Sequence, residues 1–510
     1  MPPIRTSACF CTYDVRAIVT PDFFDAVTYQ HMARAFVSFC RQQKGANKPF
    51  LPFTIAAGYD ARLHSPELFE ALKNTLLDLG VNVIDLDLQP SPMVYASEWL
   101  DLPEGIHKPD ATLTVTASHN PAPYNGLKWT LNGHALTRED VQDVKALFEA
   151  QQKTALEPIS PRGQVTAYNP IPDYLNWMQA NFPKNVHPLK IVVDAGNATG
   201  GLVAVPLLDA FGIECVPLFT DVDGRFPNHH PDPSKAKNLQ DLIQAVQTHQ
   251  ADFGVAFDGD SDRLGVVDDQ GRVIAGDFLL LLMTQAMMRR RRVKFPDEAP
   301  PKVVAEVKCS QHLFTGITEA GAEAIVSPTG HAKIKDTMKT QNAVLGGELS
   351  GHFFFKDEHW GFDDAFYGMM RMAQVLDDAR QMASNPELPL SSLVNSLPKT
   401  MISDELRYAV DTQLSPRVMS YLKKALQKRY EENSLFGNQA ILGLSTLDGI
   451  RLALDGGFVL VRASNTEPVL SLRWEARSEE DLDACETKLL YLIHKAVSYA
   501  EAFAEGVFLL

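Results

Sequence analysis

Along this 510-residue chain, apolar and polar positions follow a plan that recurs three times. "FTIAAGYD" (53–60) is an apolar run closing on polar residues; it leads into helical spacing and returns as "GVNVIDLD" (80–87). "KIVVDAG" (190–196) leads in the same way to "GIECVPL" (212–218), and "KVVAEVK" (302–308) to "GAEAIVSP" (321–328). Each repeat reads as strand, helix, glycine stop and second strand. Continuous β-branched runs of this kind are buried on both faces, so each β-α-β repeat predicts a parallel or mixed sheet covered by helices. Past Pro398 the pattern changes. "ILGLSTLDGIRLALDGGFVLVRASN" (441–465) reads as short antiparallel strands with a Gly-Gly turn. The segment after it predicts an amphipathic helix, with Ser478 and Asp481 at N-cap and N3 spacing and Leu482, Cys485, Leu489 and Leu492 on one stripe. The expected fold class is α/β: three similar mixed-sheet α/β domains over 1–163, 164–272 and 273–396, then a smaller α+β domain over 397–510.

An apolar content of 45% supplies several cores, as a chain of this length requires. The formal charge of −16 repels nucleic acid and anionic lipid unless a local patch opposes it. The one basic run, Arg289-Arg290-Arg291-Arg292-Val293-Lys294, has no interleaved aromatics and reads as a solvated helix end before a Pro-rich loop. The six cysteines are scattered, with neither a disulfide frame nor a zinc spacing. The first residues lack an apolar leader core, and runs such as "FLLLLM" (278–283) are too short to span a bilayer. These features predict a soluble cytoplasmic protein that binds neither nucleic acid nor membrane.

Four polar stretches interrupt this plan at strand ends, where open α/β sheets collect ligands. "TVTASHNPAPYNGLK" (114–128) starts as a β-branched strand and stops at Ala117-Ser118-His119-Asn120-Pro121, residues that also serve ordinary turns. "FDGDSDR" (257–263) puts Asp258, Asp260 and Asp262 at i, i+2 and i+4 just past an apolar strand. Three close carboxylates repel one another, and a divalent cation with oxygen ligands relieves them. An EF-hand is excluded, because its glycine and glutamate positions hold Arg263 and Asp269. A strand followed by D-x-D also suits an aspartyl-phosphate phosphatase of the haloacid dehalogenase type, with Asp258 as nucleophile. "VLGGELSGHFFF" (344–355) offers Glu348, Ser350 and His352 in a glycine-punctuated loop suited to sugar hydroxyls. Lys308 and His331 end the two strands of the third repeat. In "LVRASNTEPVLSLRWEA" (460–476), Arg462, Ser464, Asn465 and Thr466 form a candidate phosphate cradle.

Taken with "TYDVRAIV" (12–19), "VDGRFPNHHPDPSK" (222–235) and "GFDDAFYG" (361–368), these motifs resemble the α-D-phosphohexomutase family in its bacterial phosphomannomutase/phosphoglucomutase branch, over nearly the whole chain. The resemblance implies four domains around a central cleft, and an enzyme that interconverts hexose 1-phosphate and hexose 6-phosphate. Ser118 would be the phosphoserine, with Asp258, Asp260 and Asp262 holding Mg²⁺ that also touches it. Arg263 and His119 would steady the phosphate, while Lys128 and His352 are the candidates for proton transfer. Tyr13, Arg16, Lys308, Gly330 and His331 would orient the sugar, and Glu348 and Ser350 would hold its O3 and O4. Arg462, Ser464, Asn465 and Thr466 would grip the idle phosphate. A hexose 1,6-bisphosphate would be both intermediate and activator, and the protein a monomer or weak homodimer. A phosphoglucosamine mutase and a silent sugar-phosphate sensor are the other readings.

Three positions depart from the family pattern. Ala17 stands where glycine is usual after Asp-x-Arg, Ser261 where the metal loop usually has glycine, and Leu349 where methionine is frequent.

Overall fold

In a computed structural model, described for residues 5–44, 53–154, 158–399, 401–463 and 468–504, the chain divides into two units. One comprises the chain up to Gly276 together with Ser350–Ser392; the other comprises Asp277–Leu349 together with the chain from Leu393 onward.

The first unit contains two mixed sheets. In one, the strand order is Val15–Ile18, Tyr124–Leu131, Ala111–Val115, Thr54–Tyr59, Asn82–Leu88 and Val165–Ala167, with His134–Ala135 beside Tyr124–Leu131. Pairing is antiparallel on the Tyr124–Leu131 side and parallel from Ala111–Val115 outward. Thr54–Tyr59 and Ala111–Val115 are buried almost throughout, as continuous apolar runs covered on both faces require. The helix Arg138–Gln151 starts with a capping box: Asp140 N donates to Thr137 Oγ1 at 3.1 Å and Thr137 N to Asp140 Oδ2 at 2.8 Å. Gly126 lets the strand carrying Lys128 approach its neighbours, since a Cβ there would lie 2.1 Å from Val15 O and 2.7 Å from Thr116 O. Ala17 pairs with Asn125 inside Val15–Ile18 and has no positive φ, so the departure from glycine carries no backbone strain.

The other sheet runs Val273–Ile274, Leu264–Asp268, Phe253–Phe257, Lys190–Asp194 and Glu214–Leu218, antiparallel for its first two pairings and parallel for the rest. Asp194, at the end of a buried strand, holds His229 Nε2 at 2.9 Å. This is how the "NHHPDP" segment is tied to the sheet.

In the second unit, Glu323–Ser327, Lys302–Glu306 and Leu345–Gly347 form parallel neighbours. The helix Gly276–Lys294 ends in the arginine run, where cations suit the helix dipole; there Arg291 pairs with Glu298 at 2.5 Å and Arg292 Nη2 donates to Ala320 O at 2.8 Å. The chain then builds an antiparallel sheet centred on Gly457–Ala463 and Val469–Ala476, covered by the helices Ser415–Glu431 and Glu479–Ala504. Asp481 N donates to Ser478 Oγ at 3.2 Å, and Cys485, Leu489 and Leu492 lie buried in that core. Buried Arg451 and Glu475 fasten this sheet to the turn at 307–311. Arg451 donates to Val307 O at 3.0 Å and Cys309 O at 3.1 Å, and Glu475 accepts from Ser310 Oγ at 2.6 Å and Gln311 N at 2.8 Å.

All six cysteines are free thiols, and among the described residues no helix is long and apolar enough to cross a membrane.

Burial alone would lower the His229 pKa, but the Asp194 carboxylate outweighs it and raises it above the ordinary value. The folded state therefore binds the proton more tightly than the unfolded chain. The pair's contribution is full below the unfolded value of about 6.5 and is lost as pH rises through the folded one. Urea midpoints measured from pH 5.5 to 8.5 should show this decline, and His229→Gln should flatten it.

Candidate active site

The site in the first unit is built from the ends of strands in both of its sheets. Where Ala111–Val115 runs out, the chain turns through Ser118, whose φ is +51° and whose side chain is buried. Across from it, after Phe253–Phe257, Ser261 takes φ +61°. A non-glycine residue in the left-handed region stores strain, and the usual glycine at 261 has this physical reason. Close approach accounts for a second glycine, because a Cβ on Gly259 would lie 2.5 Å from Ser118 O.

Ser118 is held from several directions. Its N–H donates to Thr116 Oγ1 at 2.9 Å, and its Oγ donates to Asp258 Oδ2 at 2.6 Å and lies 3.2 Å from His119 Nδ1. Its carbonyl accepts from Arg62 Nη2 at 2.7 Å. Arg62 is fully buried and spends its whole fork on this loop. It reaches Asn120 O at 2.6 Å, Pro121 O at 2.7 Å, Tyr124 O at 3.0 Å and the Asp60 carboxylate at 3.0 Å. His230 Nε2 meets His119 O at 2.5 Å, so the "NHHPDP" segment supports the same turn from the other sheet. Arg16 bonds Asp14 Oδ2 at 2.8 Å and Asn120 Oδ1 at 2.7 Å, and Tyr13 O accepts from Trp129 Nε1 at 3.2 Å.

The three aspartates are buried, and each offers one oxygen such that all lie within 4.8 Å of one another. Asp258 Oδ1 accepts the N–H groups of Asp262 and Arg263, both at 3.1 Å. Asp260 Oδ2 accepts Ser91 Oγ at 2.5 Å and Lys128 Nζ at 2.6 Å. Lys128 also bonds Asp262 Oδ2, whose other oxygen meets His352 Nε2 at 3.1 Å. Arg263 Nε lies 3.4 Å from His352 Nε2 and 3.9 Å from Asp258 Oδ2. Ser350 Oγ lies 3.3 Å from His352 Nδ1.

These contacts set the charges. Burial, then Asp262 and Asp260, push Asp258 up to about 7. Burial would also raise Asp262, but Lys128 and His352 outweigh it and hold its carboxyl well below the usual range. Lys128, which burial alone would neutralise, is kept protonated by Asp260 and Asp262. Burial and the neighbouring Arg263 and Arg16 keep His119 neutral, so it serves Ser118 as a hydrogen-bonding ring rather than as a cation. The oxygen set fits a hard divalent cation: three carboxylates converge, Asp260 Oδ1 is buried without a hydrogen-bond partner, and Asp258 is short of positive charge.

The second unit carries the remaining candidates. Lys308 Nζ lies 3.5 Å from Glu306 Oε2, and its carbonyl accepts from Arg473 Nη1 at 3.0 Å. Gly330 N, just ahead of the helix His331–Gln341, donates to Glu348 Oε1 at 2.7 Å. Arg462 pairs with Asp448 at 2.9 Å, and Asp448 also accepts from Thr329 N at 2.9 Å, which links the arginine to the 329–331 turn. Ser464, Asn465 and Thr466 lie outside the described residues.

Sequence reasoning missed Arg62, Asp60, Ser91, Asp448 and Asp363, the last of which clusters with Asp262 and His352. Asp60 and Arg62 had a signal, the polar close of "FTIAAGYDAR". Ser91 and Asp448 touch the site only through the fold and had none.

Losing the Arg62 fork strands four carbonyls and a buried carboxylate. Arg62→Met should therefore cost about 3–5 kcal/mol by urea unfolding. Arg62→Lys should recover only part of that loss, because three donors cannot replace the planar fork.

Four family models match successive parts of the chain. They describe phosphoglucomutase/phosphomannomutase alpha/beta/alpha domains I, II and III at residues 7–155, 172–271 and 275–401, and the C-terminal domain at 420–490. A phosphoglucomutase of Neisseria meningitidis is 36% identical over 95% of this chain and 96% of its own length. A phosphomannomutase/phosphoglucomutase of Pseudomonas aeruginosa is 35% identical over 95% of both. The crystal structure of a phosphoglucomutase/phosphomannomutase family protein from Burkholderia thailandensis superposes with a TM-score of 0.82 at 34% identity, covering 97% of this chain and 98% of that one.

Proposed function

The chain belongs to the phosphoglucomutase/phosphomannomutase family, and from that premise we propose that it interconverts hexose 1-phosphate and hexose 6-phosphate, of mannose, glucose or both, through a phosphoserine at Ser118. The observation that carries the reading is the buried Ser118 hydroxyl, held 2.6 Å from Asp258 beside a cluster of three carboxylates and the Lys128 ammonium.

The cycle starts from phosphorylated Ser118. The sugar's O6 attacks the phosphoryl group as the Ser118 Oγ–P bond breaks, giving a hexose 1,6-bisphosphate. The bisphosphate turns end for end, its 1-phosphate returns to Ser118, and hexose 6-phosphate leaves. Phosphoryl transfer asks a protein for in-line placement and neutralised oxygens. Asp258, Asp260 and Asp262 would hold Mg²⁺, which supplies charge neutralisation to the transferring oxygens. Arg263 adds a cation to the same region. Lys128 and His352 remain the two proton carriers for the sugar hydroxyl, with His352 seated by Asp262. Tyr13 and Arg16, with Lys308, Gly330 and His331, orient the sugar, while Glu348 and Ser350 take its hydroxyls. Arg462 with Ser464, Asn465 and Thr466 holds the phosphate that does not react. An exogenous hexose 1,6-bisphosphate would phosphorylate Ser118 afresh and act as activator.

An aspartyl-phosphate phosphatase is not favoured. It would make Asp258 the covalent group and leave the buried Ser118 hydroxyl, which donates to Asp258, without a task. The relatives named above are mutases.

Phosphorus NMR of the protein with Mg²⁺, a trace of glucose 1,6-bisphosphate, and glucose 1-phosphate or mannose 1-phosphate in separate tubes tests the proposal. A 6-phosphate signal should appear in at least one tube, vanish with a chelator, return with added Mg²⁺, and fall by about 10³-fold or more in Ser118→Ala. Release of inorganic phosphate alone would overturn the proposal and make Asp258 the nucleophile.

A further inference from the structure

One buried carboxylate at the carboxyl end of Lys302–Glu306 has no part in the roles above. Glu306 is fully buried, its Oε1 accepts a hydrogen bond from Leu349 N at 2.8 Å, and its Oε2 stands 3.5 Å from Lys308 Nζ. Lys302–Glu306 and Leu345–Gly347 are parallel neighbours, so Lys308 and Glu348 leave adjacent strand ends two residues and one residue past them. Glu348 in turn fixes the 330 turn through Gly330 N. Glu306 is thus the group that touches both the lysine's ammonium and the backbone beside Glu348.

An ammonium on a four-carbon stem is a mobile point charge unless a fixed anion anchors it. Glu306 is such an anion, because its backbone belongs to a sheet and its other oxygen is occupied by Leu349 N. Burial pushes the Glu306 pKa up against the pull of Lys308, and Glu306 is the main reason the Lys308 pKa is raised. A buried charge persists when a partner repays its desolvation.

We propose that Glu306 is a positioning residue for the sugar: it orients the Lys308 ammonium and, through Leu349, the Glu348 carboxylate, so that both address the hexose in one geometry. This rests on the hexose phosphate reading above and extends it by a residue that need not touch substrate. Interactions of this kind change uniform binding of the substrate more than the barrier to transfer, so their loss appears in KM.

Glu306→Gln keeps a carbonyl acceptor for Leu349 N and removes the charge facing Lys308. Against whichever hexose 1-phosphate the wild type converts, KM should rise about tenfold, kcat should change by less than about threefold, and Tm should stay close to the wild-type value. The KM of the double variant Glu306→Gln/Lys308→Gln should not exceed that of Lys308→Gln alone, since residues acting as one unit are not additive. A wild-type KM in Glu306→Gln, or single-variant effects that multiply in the double variant, would overturn the proposal. Should Glu306→Gln fail to fold, Glu306→Asp tests the same reach, with the same rise in KM expected and an unchanged KM overturning it. Absence of conversion by the wild type itself would instead overturn the hexose phosphate reading, and this role with it.

Discussion

The ammonium of Lys128, seated between Asp260 and Asp262, is the interaction on which the first unit's site depends. Three carboxylates with no access to water cannot all stay charged without nearby cations, and Lys128 is buried with them. The imbalance that remains is visible in Asp258, whose affinity for a proton is pushed far above that of an ordinary aspartate. A site left short of positive charge attracts cations and phosphate-bearing cation complexes, and it orients any hydroxyl brought to it. Ser118 is the hydroxyl found there.

Strain is stored at the same place. Ser118 and Ser261 both adopt left-handed backbone, in loops close enough that only glycine fits at 259. Such conformations persist when surrounding contacts over-determine them. Arg62 performs that task for the serine loop with five contacts, and the Asp258 carboxylate does so for the 258–263 loop by taking two backbone N–H groups. The second unit follows the same logic with Glu475 and Arg451 at the turn that presents Lys308.

Much of this was legible in the sequence, for definite reasons. The β-α-β repeats announced themselves because strands buried on both faces must be apolar throughout, and Thr54–Tyr59, Lys190–Asp194 and Lys302–Glu306 are such strands. Asp258, Asp260 and Asp262 could be read because their spacing is local. The capped C-terminal helix could be read from Ser478 and its apolar stripe. Long-range partnerships left no local trace. Ser91 lies 169 residues from Asp260, and Glu475 lies 165 residues from Ser310; neither neighbourhood looks unusual in one dimension. The charge states were also hidden, since the neutral ring of His119 follows from burial and two arginines that only the fold assembles.

Lys128 lies in one sheet of the first unit and Ser91 opens the helix Ser91–Ala96 that follows a strand of that sheet, whereas the aspartates they bind lie in the loop between two strands of the other. Ser118 with Asp258, and His119 with His230, span the same seam. Chemistry and cohesion therefore share one set of bonds, and by thermodynamic linkage whatever redistributes charge among those carboxylates also changes how firmly the two sheets adhere. In the proposed cycle, each turnover, by adding and removing phosphate at Ser118, would load and unload that seam like a hinge pin under alternating stress.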